Sequence, residues 1–422
     1  MRVFGRLRST RKGRWIFRGL ITVLVIVVLF VALLAAIAVS PGFGAWGAEV
    51  MRAVLGDRFT AWFEGLSLTL SDAFHKFTYA LGIGHEKDPF ADNTGSDDST
   101  GDPTDAGTST TVAQTTTTEA PAGGSTATTA KPATTTTTES KWQPADLEPM
   151  GTLENEGQWT KYLTDSTGRA VGYRTALQPD PTRGFAVAAV VAMDMKYAQL
   201  HFILGYNEPK SSTKIDRPGT IPKTDLKAGR LLGAFNGGFQ AEHGQFGAMQ
   251  DGAVALPPRS GFGTIAIYKD GHVAIGAWGT DIQPGDDIES WRQNGPLVIT
   301  GGEVNPDVKA GDPQVWGFVY GGGVAAWRSA VGISKDGRTL YFVVGPSLTV
   351  QSLAAAMLQV GIWQGFQLDI NHAWTRFDKV VVKNGKLTAQ PIMDGIAQDN
   401  RLIQGYKRDF FYVTGNRRRP SV

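Results

Sequence analysis

The stretch RSAVGISKDGRTLYFVV, residues 328–344, consists of two apolar runs separated by a Lys-Asp-Gly-Arg turn. Asp-Gly and Asn-Gly supply the positive φ angles that a tight hairpin needs, so this stretch predicts two paired antiparallel strands. The pattern recurs where KDGH joins TIAIY to VAIG and where KNGK follows DKVVV. We therefore predict that Asp270-Gly271, Asp336-Gly337 and Asn384-Gly385 each close a hairpin.

Apolar runs punctuated by glycine predict further strands in the same part of the chain. These strands are Phe185–Met193, Ala198–Leu204, Leu231–Phe235, Pro296–Ile299, Trp363–Leu368 and Asp409–Val413. One segment, TVQSLAAAMLQV at Thr349–Val360, has helical spacing, and Gly361 is placed to end it. The predicted fold class is α+β, with a mixed sheet, several hairpins and few helices.

The composition excludes several classes of function. The formal net charge of +2 among 422 residues gives no reason to expect nucleic acid as a partner. The chain has no cysteine, which excludes disulfides, thiolate zinc sites and cysteine nucleophiles. An exported protein without disulfides fits a bacterial cell surface better than a secretory-pathway ectodomain. No Gly-x-Ser-x-Gly elbow, His-Glu-x-x-His helix or Gly-Lys-Ser/Thr phosphate loop occurs in the sequence.

The N-terminus has the pattern of a membrane anchor. Residues 1–18 are rich in Arg and Lys and contain no acidic residue, and residues 19–40 (GLITVLVIVVLFVALLAAIAVS) are uncharged and apolar. A run of about 20 such residues spans a bilayer as a helix, and the basic flank keeps the N-terminus cytoplasmic. The alternative is a signal peptide cleaved near Ala36-Ile37-Ala38. Both interpretations place the rest of the chain outside the cytoplasm, so we predict a single-pass membrane protein with a signal anchor and an extracellular domain.

Three segments follow the predicted anchor. Residues 47–82 carry an apolar stripe at helical spacing, which predicts an amphipathic helix that lies on the membrane, on another chain or on the distal domain. Residues 91–140 are almost entirely Thr, Ala, Gly, Asp, Ser and Pro, a composition typical of a disordered linker. Residues 142–422 form the predicted globular domain.

Four segments of that domain occur in a characteristic order. They are LLGAFNGGF (231–239), QNGPLVITGGE (293–303), RSAVGISKDGRTLYFVV (328–344) and GFQLD (365–369). Together they resemble the phosphodiester glycosidase domain family, named for the enzyme that uncovers mannose 6-phosphate by removing a capping N-acetylglucosamine. The resemblance extends over roughly residues 188–371. It implies a hydrolase that acts on a sugar phosphodiester or a related glycosidic bond.

The closing motif departs from the family. There the acid is followed by three glycines and a small hydroxyl residue, whereas here Asp369 is followed by Ile370-Asn371-His372-Ala373-Trp374. Gln240 also replaces the family's usual second aromatic residue after Asn-Gly-Gly-Phe. Because glycines allow close approach of backbone N–H groups to a phosphate or sugar, side chains must make those contacts here. The substrate is therefore expected to differ.

The predicted catalytic residues are Asp369, His372, His243 and Glu242. The resemblance implies that Asp369, the acid of the closing motif, acts as acid, base or nucleophile. The imidazole and carboxylate of His243 and Glu242 follow the Asn-Gly-Gly turn closely and suit acid–base chemistry. The alternatives are a solvated loop histidine at 243 and, because Trp374 is near, a core-packed histidine at 372.

The predicted substrate-binding residues combine backbone amides, guanidinium groups and amide side chains. They are Asn236, Gly237, Gly238, Arg328, Asn371, Arg292 and Gln293. A planar guanidinium such as that of Arg328 suits bidentate binding of phosphodiester oxygens, and the alternative is an ion pair at a strand end. Asp369 and Asn371 offer oxygen ligands to a hard cation, so a divalent cation such as calcium is a candidate cofactor.

Two functions fit these features. The first is an envelope hydrolase whose partners are the membrane and a cell-envelope glycan or sugar phosphate. The second is a non-catalytic module that binds envelope glycan on the same fold. An open cleft at Asp369 favours chemistry, whereas a pocket filled by Trp374 favours binding or a scaffold role.

Overall fold

The computed structural model describes residues 142–317 and 325–415, together with short pieces at 72–73, 76–79, 81 and 89–90. The predicted cytoplasmic tail (1–18), membrane span (19–40) and linker (91–140) lie outside the described residues, as does most of the predicted helix at 47–82. No helix in the described parts is both long and apolar enough to cross a bilayer.

The described domain is mostly β-sheet with few helices. Its strands are β1 Thr160–Thr164, β2 Ala170–Leu177, β3 Ala188–Asp194, β4 Ala198–Ile203, β5 Leu231–Asn236, β6 Ala248–Gln250, β7 Ala253–Leu256, β8 Gly263–Tyr268, β9 Val273–Ala277, β10 Ile288–Gln293, β11 Leu297–Thr300, β12 Glu303–Val304, β13 Ala326–Ile333, β14 Thr339–Leu348, β15 Gln364–Gln367, β16 Phe377–Lys383, β17 Lys386–Pro391 and β18 Phe410–Gly415. The α-helices are α1 Pro313–Trp316, α2 Val350–Gln359 and α3 Arg401–Gln404. Ala241–His243 and Pro306–Val308 form short 3₁₀ turns.

The strands form three sheets. The first has eight strands in the order β1-β2-β3-β14-β13-β15-β11-β12, the second has the order β7-β6-β10-β8-β9, and the third has the order β17-β16-β5-β18-β4. Successive residues of β3 face opposite ways: Val190 and Ala192 belong to the apolar cluster that includes α2, whereas Val191 and Met193 belong to the large central core. The first sheet is therefore covered on both faces.

All three predicted hairpins are confirmed, in β8–β9, β13–β14 and β16–β17. Asn384 and Gly385 have φ values of 51° and 72° and form a two-residue turn between the paired residues Lys383 and Lys386. The two Asp-Gly pairs lie in longer loops, in which only the glycine has a positive φ.

The prediction of a mixed sheet is wrong, because the strand pairs within all three sheets are antiparallel. The predicted strand–helix–strand unit exists as β14–α2–β15, but β13 lies between its two strands. Thr349 caps α2 in a capping box with Ser352, and Gly361 follows the helix with a φ of 82°. The helix thus carries the chain across β13, and the two parallel strands never pair with each other.

An aromatic core lies directly beneath the ends of three strands. Phe235 of β5 contacts Phe342 of β14, Phe377 of β16 and Phe411 of β18, with ring centroids 4.9, 5.9 and 5.2 Å apart. All four side chains are fully buried. This packing fixes the end of β5, where Asn236 and the following glycines leave the sheet.

The short pieces before the linker contact the domain. Asp72 forms an ion pair with Arg183 at 3.2 Å, and the ring of Tyr79 lies edge-on to Phe185 at 6.1 Å. Phe90 is buried in the central core, with the Arg174 guanidinium 4.2 Å above its ring. The segment at 47–82 was predicted to lie on the membrane, on another chain or on the distal domain. Its described residues contact the distal domain.

Candidate active site

Asn236 joins the ends of three strands. Its Oδ1 accepts a hydrogen bond from the Arg376 N–H at 2.9 Å, and its Nδ2 donates to Gly237 O at 2.9 Å and to Ser329 Oγ at 3.0 Å. Ser329 Oγ in turn donates to the backbone oxygen of Asp369 at 3.0 Å. The side chain of Asn236 is therefore used inside the protein, where it brings the first and third sheets together.

The glycines after Asn236 are required by close packing. A Cβ at Gly237 would lie 2.0 Å from Asp409 Oδ2 and 2.7 Å from the Asp409 carbonyl oxygen, and a Cβ at Gly238 would lie 3.0 Å from Arg292 Cζ. The Gly237 N–H donates to Asp409 O at 3.1 Å, and the Gly238 N–H donates to Asp409 Oδ2 at 3.2 Å. The sequence predicted that these amides face a substrate, but in this structure they hold Asp409.

Arg292 is fully buried and pairs with the same carboxylate. Its Nε donates to Asp409 Oδ2 at 2.8 Å, and its remaining nitrogens donate to the carbonyl oxygens of Phe246, Gln293 and Phe239 at 2.6–3.1 Å. Every nitrogen of this guanidinium donates a hydrogen bond within the protein. Arg292, which was predicted to bind substrate, therefore has a structural role in this geometry. Removal of the charge from either Arg292 or Asp409 would leave the charge of the other residue buried and unpaired.

Asp369 lies just beyond β15 with both carboxylate oxygens hydrogen-bonded. Oδ1 accepts from the N–H groups of Ile370 at 2.7 Å and Asn371 at 3.3 Å, and Oδ2 accepts from Arg408 Nη2 at 2.5 Å. Burial acts to lower the pKa of the Arg408 guanidinium, but the negative groups around it, Asp369 foremost, together outweigh burial and the pKa is raised.

A small pocket opens where these groups meet. Its lining residues are Asn236, Gly237, Gly238, Asp369, Trp374, Arg376, Leu402, Tyr406, Arg408 and Asp409. The pocket volume is about 10 Å³, which is close to the room that one water molecule needs. Trp374 closes one side, with the Arg408 guanidinium 4.8 Å from its ring centroid.

One of the lining residues, Asp409, has an unsatisfied carboxylate oxygen. Asp409 is 3% exposed, and its Oδ1 has no hydrogen-bond partner among the described residues. A buried acceptor without a donor costs about 1–3 kcal/mol, so such an atom calls for an explanation. The lining residues thus include two carboxylates: Asp369 accepts hydrogen bonds on both oxygens, and Asp409 accepts them on Oδ2.

A second charge network borders the pocket. Arg376 makes a bidentate pair with Asp378, at 2.7 and 3.0 Å, and also reaches Asp399 at 3.1 Å. Arg401 donates to the same Asp399 and to Tyr406 Oη. Burial acts to raise the pKa of Asp399, but hydrogen bonds from Arg401 and the charge of Arg376 outweigh it, so the pKa is lowered.

Several residues predicted for the site do not line this pocket. Arg328 is buried and donates to the carbonyl oxygens of Leu348 and Trp316 and to Gln367 Oε1. Burial lowers its pKa to about 10. The predicted phosphate-binding role has no support in this geometry, since the guanidinium ties β13 to its neighbours.

The predicted histidines and Glu242 also lie away from the pocket lining. Glu242 and His243 sit in an exposed 3₁₀ turn, with side chains 46% and 59% exposed and 3.8 Å apart. His372 is half-buried against Trp327, and burial together with the charge of Arg401 lowers its pKa. The hydrogen-bond partners of the Asp369 carboxylate are Ile370, Asn371 and Arg408 and include neither histidine.

The last two predicted binding residues make local contacts. Gln293 donates to Arg259 O and Thr264 Oγ1 and accepts from the Arg259 N–H, so it braces a loop. Asn371 Oδ1 accepts from the Ala373 N–H at 2.8 Å. No group of three or more His, Asp or Glu residues suited to a metal occurs in the described part of the chain, so the calcium hypothesis gains no further ligands.

Sequence reasoning missed the pair Arg408-Asp409. The available signal was two charged residues directly before the apolar strand FFYV. Charged residues at a strand end are common at protein surfaces, so this pattern alone does not distinguish a buried site. Asn294 was missed as well: its Oδ1 accepts from the Phe239 N–H, and its Nδ2 donates to the carbonyl oxygens of Gln367 and Leu368.

Comparison with known families agrees with the motifs. Residues 230–396 match the family model described as phosphodiester glycosidase (NAGPA), and all four motif segments lie inside this range. The predicted family resemblance is confirmed. The match supports a function of the glycosidase type in general, in a family of hydrolases. Arg408 and Asp409 lie beyond the matched residues.

Solved structures give weaker likenesses. The catalytic domain of zebrafish N-acetylglucosamine-1-phosphodiester alpha-N-acetylglucosaminidase, auto-inhibited by its pro-peptide, is 16% identical, with a TM-score of 0.40 over 62% of this chain and 88% of that one. A hypothetical protein from Synechocystis is 13% identical, with a TM-score of 0.36 over 61% and 62%. A putative exported protein from Burkholderia pseudomallei is 10% identical, with a TM-score of 0.31 over 55% and 74%. No curated protein matches the chain. Because the TM-scores are below 0.5, nothing is transferred from these structures.

Proposed function

We propose that this chain is a membrane-anchored, extracytoplasmic hydrolase that cleaves a sugar phosphodiester, or a related glycosidic bond, in a cell-envelope or exported glycan. The observation that carries the proposal is the pocket in which Asp369, Asp409 and Arg408 meet, because part of its lining, including the Asn-Gly-Gly turn and Asp369, comes from the motif segments of a phosphodiester glycosidase match. The anchor at 19–40 and the linker at 91–140 would hold the domain near such a glycan.

The charges at the pocket suit this bond. A phosphomonoester has a second pKa near 6, so it leaves an anomeric carbon as an anion without needing a proton from an acid. What the reaction needs is stabilisation of the positive charge that develops on the sugar and a cation beside the phosphate. The carboxylate of Asp369, which is paired with Arg408, supplies the stabilisation of positive charge.

Arg408 also fits the second requirement. Its Nη2 bonds Asp369 Oδ2 and Gly238 O, whereas its Nε and Nη1 have no hydrogen-bond partner within residues 142–317 and 325–415. These two N–H groups lie on different edges of the planar guanidinium, so each can donate a single hydrogen bond to a phosphodiester oxygen. We therefore assign phosphate binding to Arg408 rather than to the predicted Arg328.

Hydrolysis of an N-acetylglucosamine-1-phosphodiester by the full-length chain in detergent tests the proposal. Asp369→Asn preserves size and removes the charge, so we expect a rate loss of about 100- to 10,000-fold. The matched control is Asp270→Asn, in an exposed hairpin turn, which is expected to leave the rate unchanged. Circular dichroism of each variant must match that of the wild type, because Asp369 is buried.

A glycan-binding module without catalysis is the second candidate. The specific observation in its favour is the size of the pocket, which holds about one water and is bordered by Trp374. A wild-type chain that is inert on sugar phosphodiesters, yet binds envelope glycan equally well with Asn at position 369, would support the binding module over the hydrolase.

A further inference from the structure

Residues that precede the threonine-rich linker pack on the distal domain at two places. The first is the loop between β2 and β3, where the Asp72 carboxylate pairs with Arg183 Nε at 3.2 Å and both side chains are less than one-fifth exposed (19% and 15%). Tyr79 lies beside the same loop. Its ring is edge-on to the buried Phe185, and a Cβ on Gly184 would collide with its hydroxyl group. The loop thus leaves room for the segment that covers it.

Phe90 makes the second contact, at the start of the linker. Its side chain is 7% exposed and belongs to the large central core. The Arg174 guanidinium of β2 lies 4.2 Å from the Phe90 ring centroid and 4.9 Å from that of Tyr162 in β1, so two aromatic rings share one cation. Burial of a whole aromatic ring is among the larger single contributions to stability, so Phe90 fixes the beginning of the linker to the domain.

The first described residue after the linker lies at the same edge of the same sheet. Trp142 packs edge-on against Tyr173 of β2, with ring centroids 5.6 Å apart. Tyr173 and Arg174 are neighbours in a strand, so their side chains point to opposite faces of the first sheet. Their partners in β3, Ala192 and Val191, belong to the cluster that includes α2 and to the central core, respectively. The linker therefore begins on one face of this sheet and ends on the other.

The two ends of the linker are close together compared with its length. The strand order places β1 at the edge of the first sheet, next to β2. Because neighbouring strands lie about 4.8 Å apart, a path around β1 from one face of the sheet to the other is on the order of 20–30 Å long. Residues 91–140 could extend to roughly 165 Å. The linker is thus far longer than the gap that it closes.

We propose that residues 72–90 are an integral part of the distal domain, so that the linker is a surface loop and the tether to the predicted anchor is the segment 41–71. The surface that receives residues 72–90 consists of the loop at Arg183–Phe185 and the face of β1 and β2 at Tyr162 and Arg174. The inference rests on the anchor in the proposed function, and it moves the tethering role from the linker to the segment before it.

The tether sets how far the domain can reach from the membrane. An extended chain spans at most about 3.3–3.6 Å per residue. A tether that includes the linker, residues 41–141, allows a maximum of roughly 330 Å, whereas residues 41–71 allow roughly 100 Å. The domain therefore acts within about a third of the distance that the longer tether would permit, on a glycan nearer to the membrane face.

Thiol crosslinking tests the docking, because the chain has no cysteine of its own. In the full-length chain, Ala73→Cys and Thr182→Cys at exposed positions place one thiol beside each partner of the Asp72–Arg183 ion pair and leave the pair intact. After reaction with a flexible bis-maleimide, a protease site inserted in the linker is cut and the fragments are separated on a denaturing gel. We expect the two fragments to remain joined.

A matched pair of thiols controls for chance encounters that the linker permits. Lys335→Cys replaces Thr182→Cys and lies in the exposed turn between β13 and β14. That turn is at the opposite end of β3 from the β2–β3 loop, about 20 Å away along the strand. We expect Ala73→Cys with Lys335→Cys to give at least about tenfold less joined product. Asp72→Ala with Tyr79→Ala, added to the first pair, is expected to lower the yield to the level of this control.

The outcomes separate this inference from the proposed function. Equal yields from the two thiol pairs, or a full yield after removal of the Asp72 and Tyr79 side chains, would overturn the docking. The crosslinking result depends neither on hydrolysis nor on membrane insertion. A chain that is inert on sugar phosphodiesters would therefore contradict the proposed hydrolase and leave the docking result unchanged.

Energy transfer to the bilayer tests which segment is the tether. The full-length chain carries a donor dye at Lys335→Cys and is placed in phospholipid vesicles that contain an acceptor lipid. Deletion of residues 98–137 leaves linker pieces that together span about 36 Å when extended, which is enough to pass around β1. Because the linker is a loop in this proposal, the transfer efficiency is expected to be the same with and without the deletion. A clear rise in transfer after the deletion would show that the linker is the tether and would overturn the proposal.

Discussion

Substitution of Arg292 by methionine tests how strongly the buried ion pair holds this region together. Methionine has a similar length and fills most of the space, so the change removes the charge and the donors but creates little cavity. Both partners are inaccessible to solvent, with side chains 0% and 1% exposed for Arg292 and Asp409. The free energy of unfolding is therefore expected to fall sharply.

The magnitude follows from what is left unpaired. Loss of one partner of a buried ion pair costs about 3–5 kcal/mol. The carbonyl oxygens of Phe246, Gln293 and Phe239 also lose their donor, each at a cost of about 1 kcal/mol or more where water does not replace it. We expect a loss between about 3 kcal/mol, if water replaces the lost donors, and about 8 kcal/mol, if it does not, which is comparable with the whole stability of an ordinary domain.

Urea unfolding monitored by tryptophan fluorescence measures this loss. Arg292→Lys keeps a charge but not the planar fork, so its loss is expected to be smaller than that of Arg292→Met. The control is Lys210→Met: that side chain is 68% exposed and 3.9 Å from Glu208, so its removal is expected to cost no more than about 0.5 kcal/mol. A loss below about 1 kcal/mol for Arg292→Met would refute the argument that this pair organises the site.

Three further predictions concern other contacts. Gly237→Ala places a Cβ 2.0 Å from a carboxylate oxygen, so it is expected to destabilise the domain by about 1–3 kcal/mol in the same urea assay; wild-type stability would contradict the packing described here. His372 has a lowered pKa because it is buried beside a guanidinium, so the unfolded chain binds the proton more readily. The melting temperature is therefore expected to fall as the pH drops below about 6.5, and His372→Gln, unlike His243→Gln at an exposed position, should flatten that fall. Phe90→Ala is expected to cost about 2 kcal/mol of stability, whereas Phe77→Ala, at a side chain 62% exposed, should leave the melting temperature unchanged.

The elements that sequence reasoning found are those with a local signal. The hairpin turns are encoded in two adjacent residues, and α2 is encoded by its spacing, its Thr349 cap and Gly361. Strand β10 was missed because its sequence, IESWRQ, has no apolar alternation. Arg292 and Gln293 are nonetheless fully buried there, since each finds polar partners that are distant in sequence. Burial by a tertiary ion pair leaves no periodic pattern to detect.

The presence or absence of a local signal also explains which pocket residues were predicted from the sequence. Asn236 and Asp369 were found through motifs, and both line the pocket. Arg328 was predicted to bind phosphate, whereas its guanidinium hydrogen-bonds to neighbouring parts of the chain. The sequence does not distinguish an arginine that binds a ligand from one that connects strands. Asp409 was not singled out because its partner Arg292 lies 117 positions away.

Residues of the motif segments position the charged residues of the pocket. Hydrogen bonds within the protein connect the residues around the two carboxylates. They join the Asn-Gly-Gly turn, Arg292, Asn294 and Ser329 to one another, to the Asp409 carboxylate or to the backbone near Asp369. Such side chains have no polar atoms left for a substrate, so their value to the protein lies in placing the two carboxylates. Asp409 arrives from β18, which pairs between β5 and β4 and is therefore an interior strand of its sheet. The Asp409 carboxylate is thus held in place by an interior strand and by its ion pair with Arg292.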